Sequence, residues 1–133
     1  MDKYIIIPLI SLLLCQITKS IIESIKNKKL CLKRIIGGSG GIPSSHTTLI
    51  TSITLLIGLD NNFKGSLFAL ALIVLFIICY DSIGIRYEVE RHSKILNKIS
   101  KEKLKEDMGH NIYEVLIGLI FGIIITLLLN YLF

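Results

Sequence analysis

Three short stretches hold most of the residue types that could do chemistry. The first, Gly40-Gly41-Ile42-Pro43-Ser44-Ser45-His46-Thr47-Thr48, joins a flexible loop to a helix start and offers two serine hydroxyls and an imidazole. Free N–H groups at a helix N-terminus, helped by the helix dipole, make an anion site, and a histidine there can give a proton to a leaving oxygen. Phosphate is the natural guest. The second stretch, Met108 to Gly118, places Glu114 four residues after His110, so the two share a helical face. A carboxylate there can fix the imidazole tautomer and raise its basicity, as a nucleophilic or general-base histidine requires. The third, Tyr80-Asp81-Ser82-Ile83-Gly84-Ile85-Arg86, puts a carboxylate at the end of an uncharged run. An ionisable group at that depth faces a bundle interior and has a partner: Arg86, the His110 stretch or a bound cation. Each stretch also has a plainer reading, with Ser44 or Ser45 as a helix cap, His46 and His110 as interfacial residues, and Asp81 with Arg86 as an ion pair closing the bundle.

Membrane helices must carry these stretches. With 52% hydrophobic residues and a mean hydropathy of +0.68, the 133-residue chain is more apolar than a soluble domain of its size, and only 19% of it is charged. Apolar length and turn chemistry predict an all-α, polytopic helical bundle forming one membrane domain over 1–133, with transmembrane helices over about 4–25, 43–59, 63–85 and 111–133. Pro8 is expected in the first turn of helix one, where a missing N–H does no harm. Pro43 is expected to open helix two, whose 17 residues to Leu59 reach roughly 25 Å and only just span. The charged segment over about 86–107 carries Ile95, Leu96 and Ile99 at helical spacing and is expected to lie along the cytoplasmic membrane surface.

Charge decides orientation and excludes one partner class. Lys and Arg number five between helices one and two, one between two and three, and seven between three and four. The first and third connections are therefore expected in the cytoplasm, with both termini outside and the polar stretches at the cytoplasmic face. The net charge of +5 comes without interleaved aromatics, which points to anionic lipid headgroups and away from nucleic acid. Cys15, Cys31 and Cys79 are isolated and lack metal-ligand spacing, so they read as packing residues, and no small-residue cleavage site precedes Lys19.

Together the stretches resemble the divergent branch of the type 2 phosphatidic acid phosphatase superfamily, small membrane proteins related to acid phosphatases and vanadium haloperoxidases. The resemblance runs from about Lys33 to Gly122 and rests on Gly-Gly-Ile-Pro-Ser-Ser-His at 40–46, Tyr-Asp-Ser-Ile-Gly-Ile-Arg at 80–86, Ile-Leu-Asn at 95–97 and Gly-His-Asn-Ile-Tyr-Glu-Val-Leu-Ile-Gly at 109–118. In the superfamily a Pro-Ser-Gly-His motif binds phosphate and supplies a general acid, while a histidine followed four residues later by an acidic residue is the nucleophile, through a phosphohistidine. The resemblance therefore implies a phosphatase in which Ser44 and Ser45 bind phosphate, His46 is the acid, His110 the nucleophile and Glu114 its orienting carboxylate. Lys33 and Arg34 stand in for the upstream phosphate clamp, Arg86 adds positive charge, and Asp81 and Asp107 are supporting or ion-site residues.

That scheme requires no metal or other cofactor, because cationic side chains and N–H groups stabilise the transferring phosphoryl group. The implied partners are membrane lipids and a lipid phosphate or pyrophosphate substrate, in a bacterial plasma membrane. The parent fold has more helices than this chain, which implies a homodimer completing the core or the site. One departure stands out: the superfamily's arginine six residues before the nucleophile is here Leu104, with Lys105 beside it. Two alternatives stay open. A non-catalytic binder or transporter of an anionic lipid or ion would use the same pocket with Asp81 and Arg86, and a magnesium enzyme would draw ligands from Asp81, Asp107, Glu114, His46 and His110.

Overall fold

The computed structural model describes residues 2–28, 30, 40–101, 103–106 and 109–132. Its helices are α1 (Lys3–Asn27), α2 (Ser45–Asp60), α3 (Ser66–Ile83), α4 (Ile85–Ile99) and α5 (Ile112–Leu132). Local chemistry sets their ends. The Asp2 carboxylate accepts the Tyr4 N–H at 3.0 Å and caps α1. Pro8 lies inside α1, a turn later than expected, at the cost of one intrahelical hydrogen bond. Ser44 has extended backbone (φ −70°, ψ 117°), so α2 starts at Ser45 and not at Pro43. Asn62, Phe63 and Gly65 have positive φ, which delays α3 to Ser66, and Gly84 (φ −91°, ψ −92°) ends it at Ile83.

α2 is the centre of the bundle, and α1, α3 and α5 pack on it. At 16 residues it is about 24 Å long, shorter than its neighbours. Among the described residues, three stretches are long and apolar enough to cross a membrane: Lys3–Asn27, the run Ser66–Ile99 and Ile112–Leu132. The burial pattern is that of a protein dissolved in lipid. Leu9, Leu13, Leu70, Ile73, Ile120 and Ile124 are each more than half exposed on the outer faces, while α2 buries Thr47, Thr48, Thr51, Ser52 and Thr54. With lipid outside, apolar burial gains little, and small residues plus interhelical hydrogen bonds hold the helices together.

Those contacts can be followed along α2. Thr48 Oγ1 donates to the Ser44 carbonyl at 2.9 Å and lies 3.2 Å from the Gly118 carbonyl. Thr126 Oγ1 donates to Ser52 Oγ at 2.7 Å, and Thr54 Oγ1 donates to the Ala71 carbonyl at 3.3 Å. Gly118 and Gly122 let the α5 backbone touch α2: a Cβ on Gly118 would stand 2.9 Å from the Ser44 carbonyl oxygen, and one on Gly122 3.0 Å from that of Thr48. These pairings rise together, so α5 runs parallel to α2. α1 runs against it, as Lys3 meets Asp60 at one end and Lys19 meets Gly40 at the other.

Candidate functional site

The end of the bundle where α2 and α5 begin gathers most of the residues singled out from sequence. Asn111 precedes α5, and its Oδ1 accepts the Glu114 N–H at 2.9 Å, which fixes the first turn. That turn brings Glu114 Oε2 to 2.9 Å from His110 Nδ1. The imidazole is buried (2% exposed), and the Glu114 side chain is 18% exposed. The His110 N–H donates to the Ser82 carbonyl at the end of α3 at 3.2 Å, and the Gly109 N–H donates to Glu90 Oε2 on α4 at 3.0 Å. Glycine is required at 109, because a Cβ there would stand 2.6 Å from Tyr87 Cα. Three helices thus hold the ring and the backbone that carries it.

The start of α2 lies against the same turn. The Ser44 N–H donates to the Glu114 carbonyl at 3.3 Å, and Thr47 Oγ1 donates to Ser44 Oγ at 2.9 Å. Ser44 occupies the capping position, but its side chain makes no capping bond, so the plainer reading of this serine is not realised. Ser45 is buried one residue on, and His46 is exposed beside them. Arg86, His110, Lys19 and Asp81 are all within electrostatic range of the His46 ring. Asp81 and Arg86 form the ion pair that the plainer reading foresaw, Nε to Oδ2 at 2.6 Å, with both side chains about one-third exposed (34% and 36%). Lys33, Arg34 and Asp107 lie outside the described residues. Among the described residues no three of His, Cys, Asp and Glu converge as a metal site needs.

Two cavities adjoin here and share Gly40, Gly41 and Glu114. One, of about 210 Å³, is lined also by Tyr87, Glu90 and His110; the other, of about 280 Å³, by Lys19, Glu23 and Lys26. A shallow apolar depression of about 450 Å³ runs along the outside of α3 past Phe76, Ile77 and Tyr80 to Asp81.

Sequence reasoning passed over two of the residues that shape this end. Lys19, 3% exposed, reaches from α1 to the Gly40 carbonyl at 3.2 Å, which brings a buried cation to the loop before α2. The signal was present, since a lysine in an apolar helix normally faces a bundle interior. Asn97 clasps the loop before His110: it donates to the Leu104 carbonyl at 2.8 Å and Glu106 Oε1 at 2.6 Å, and accepts the Leu104 N–H at 2.7 Å. Only its place in the Ile-Leu-Asn stretch marked it.

Comparison with known proteins agrees with this picture. The chain is 29% identical to the uncharacterized membrane protein YuiD of Bacillus subtilis (strain 168) over 146 aligned positions, covering 94% of this chain and 92% of that protein. No solved structure matches it. The profile of a family described as the divergent PAP2 family matches residues 1–125, so the chain, a phosphatase-related membrane protein, belongs to that family.

Proposed function

We propose that the protein is a membrane phosphohydrolase that cleaves a lipid phosphate or pyrophosphate through a phosphohistidine on His110. The observation that carries this reading is the buried His110–Glu114 pair, 2.9 Å apart, facing a cavity beside the α2 N-terminus. With Nδ1 held by the carboxylate, Nε2 is the nitrogen assigned the attack on phosphorus. The P–O bond to the leaving group breaks as the N–P bond forms, and His46 gives its proton to the departing oxygen. Water then attacks the phosphohistidine with His46 as base, releasing inorganic phosphate and restoring both rings. The N–H groups that begin α2, together with Ser44, Ser45 and Lys19, carry the phosphoryl charge. Lys19 thereby answers for the cation that the family pattern expects where Leu104 stands.

The lipid half of the proposal is supported by the apolar depression on α3, which leads a hydrocarbon chain to the Asp81–Arg86 pair beside His46. The positive loops favour a cytoplasmic site. The alternative, a non-catalytic binder or transporter of an anionic lipid or ion, would use the same pocket, with the Asp81–Arg86 pair beside it. The test is phosphate release by purified protein from phosphatidate, lysophosphatidate and a polyprenyl pyrophosphate, with and without chelator. Release that survives chelator and vanishes in His110→Ala is the expected result. Release undiminished in His110→Ala would sink the mechanism, and none from any substrate would sink the enzyme reading.

A further inference from the structure

α4 is a helix with three faces. Ile85, Val89, Leu96 and Ile99, with His92 between them, follow one another along an apolar stripe. All four are exposed, from Val89 at 38% to Ile99 at 78%. Arg91 and Lys94, paired along the helix with Glu88 and Glu90, and Lys98 form a basic stripe beside it. Glu90, Ser93 and Asn97 make the third stripe, turned toward the protein, where Glu90 holds the Gly109 N–H and Asn97 clasps Leu104 and Glu106. α4 thus grips the segment before α5 at two points two turns apart, about 10 Å along the helix. Its own support is slight: among the described elements α4 packs on α3 alone, and a glycine separates the two helices.

The occupant of the two outward stripes is identified by their position and charge. α4 continues a helix apolar enough to cross a membrane, so it starts where that helix leaves the hydrocarbon. From Arg86 to Glu106 there are seven Lys and Arg against four Glu. An apolar stripe flanked by cations, held at that level, matches acyl chains beneath anionic headgroups. A soluble anionic partner would meet the cations but gain nothing from Leu96 and Ile99. We propose that an anionic lipid surface occupies the apolar and cationic faces of α4, and that this docking holds, through Glu90 and Asn97, the loop that carries His110. Only its consequence for turnover rests on the phosphohydrolase reading. An undocked α4 is free to swing about Gly84, taking both grips with it; a docked one keeps the Gly109–His110 backbone against Tyr87 and Ser82.

The experiment is hydrogen exchange on the full chain in lipid nanodiscs of phosphatidylcholine, with and without phosphatidylglycerol. The Leu104 and Gly109 amides are expected to exchange about tenfold more slowly in the anionic discs, and added salt should shrink the difference. Leu96→Asp should abolish the lipid effect, with Ile99→Asp at the helix end as the substitute should the first fail to fold. Asn97→Ala should leave α4 protected and release 104–106. Equal exchange in both discs would overturn the proposal, as would a lipid effect untouched by the aspartates. Lipid-dependent protection without phosphate release would retire the phosphohydrolase reading alone; release with lipid-independent protection would retire the docking alone.

Discussion

Each end of the bundle is tied by a carboxylate, and the two ties differ in what surrounds them. Asp60, the last residue of α2, accepts from Lys3 Nζ at 2.9 Å and from the Tyr4 hydroxyl, with the Lys3 and Asp60 side chains 39% and 34% exposed. Glu114 meets His110 at a similar distance, but the His110 side chain is 1% exposed. Water competes for the first contact and is kept from the second, so the same chemistry is worth little at one end and is far stronger at the other. The backbone differs too. Lys3 and Tyr4 begin a helix, whereas the Gly109–His110 backbone precedes its helix and is held by Ser82, Glu90 and Tyr87. One end joins two helices; the other orients a ring.

Substitutions at the two ends sharpen this contrast. His110→Ala should lower phosphate release by about a thousandfold or more while far-UV circular dichroism stays unchanged, since a covalent nucleophile has no substitute. His46→Ala should cost about 10²–10⁴-fold in turnover, with the larger loss on substrates having poor leaving groups, as befits a general acid. For Glu114→Gln, which keeps the shape and removes the charge, we expect a loss of roughly 10- to 100-fold in kcat with KM little changed; a full-rate variant would equate the two ends. Gly118→Leu tests the scaffold: with the Ser44 carbonyl 2.9 Å from the added Cβ, it should destabilise the bundle by about 1–3 kcal/mol, read from thermal unfolding in detergent. The smallest effect belongs to Asp60→Asn, for which turnover should match the parent and the unfolding midpoint should barely move. A large loss of activity there would mean that the far end also serves the site.

Sequence revealed the parts of this molecule that local rules govern. Apolar length exposed the spanning helices, the four-residue spacing gave the His110–Glu114 face, and the separation of Asp81 from Arg86 allowed the pair that forms. The interior of α2 was harder to read. A helix rich in Thr and Ser resembles an exposed one by the rules of water, yet Thr47, Thr48 and Ser52 are fully buried, because lipid inverts the rule. Asn97 was illegible for another reason. Its partners include the backbone of Leu104, and backbone groups carry no signature in sequence until the path of the loop is known. Gly109 gave no hint of Tyr87, since the contact is between two main chains.

The break at Gly84 also sets a height. α3 has 18 residues, about 27 Å of rise, and the chain turns into α4 after the last of them, so the level at which His110 sits is counted in residues of α3 from the far turn at Asn61. A bilayer thicker or thinner than that helix must stretch, thin or tilt to match it. The His110 ring therefore keeps its depth relative to the protein, while the headgroup level around it rises or sinks with the composition of the membrane. Inserting or deleting one residue in α3 changes that depth by about 1.5 Å and also turns everything beyond it by about 100° around the helix axis.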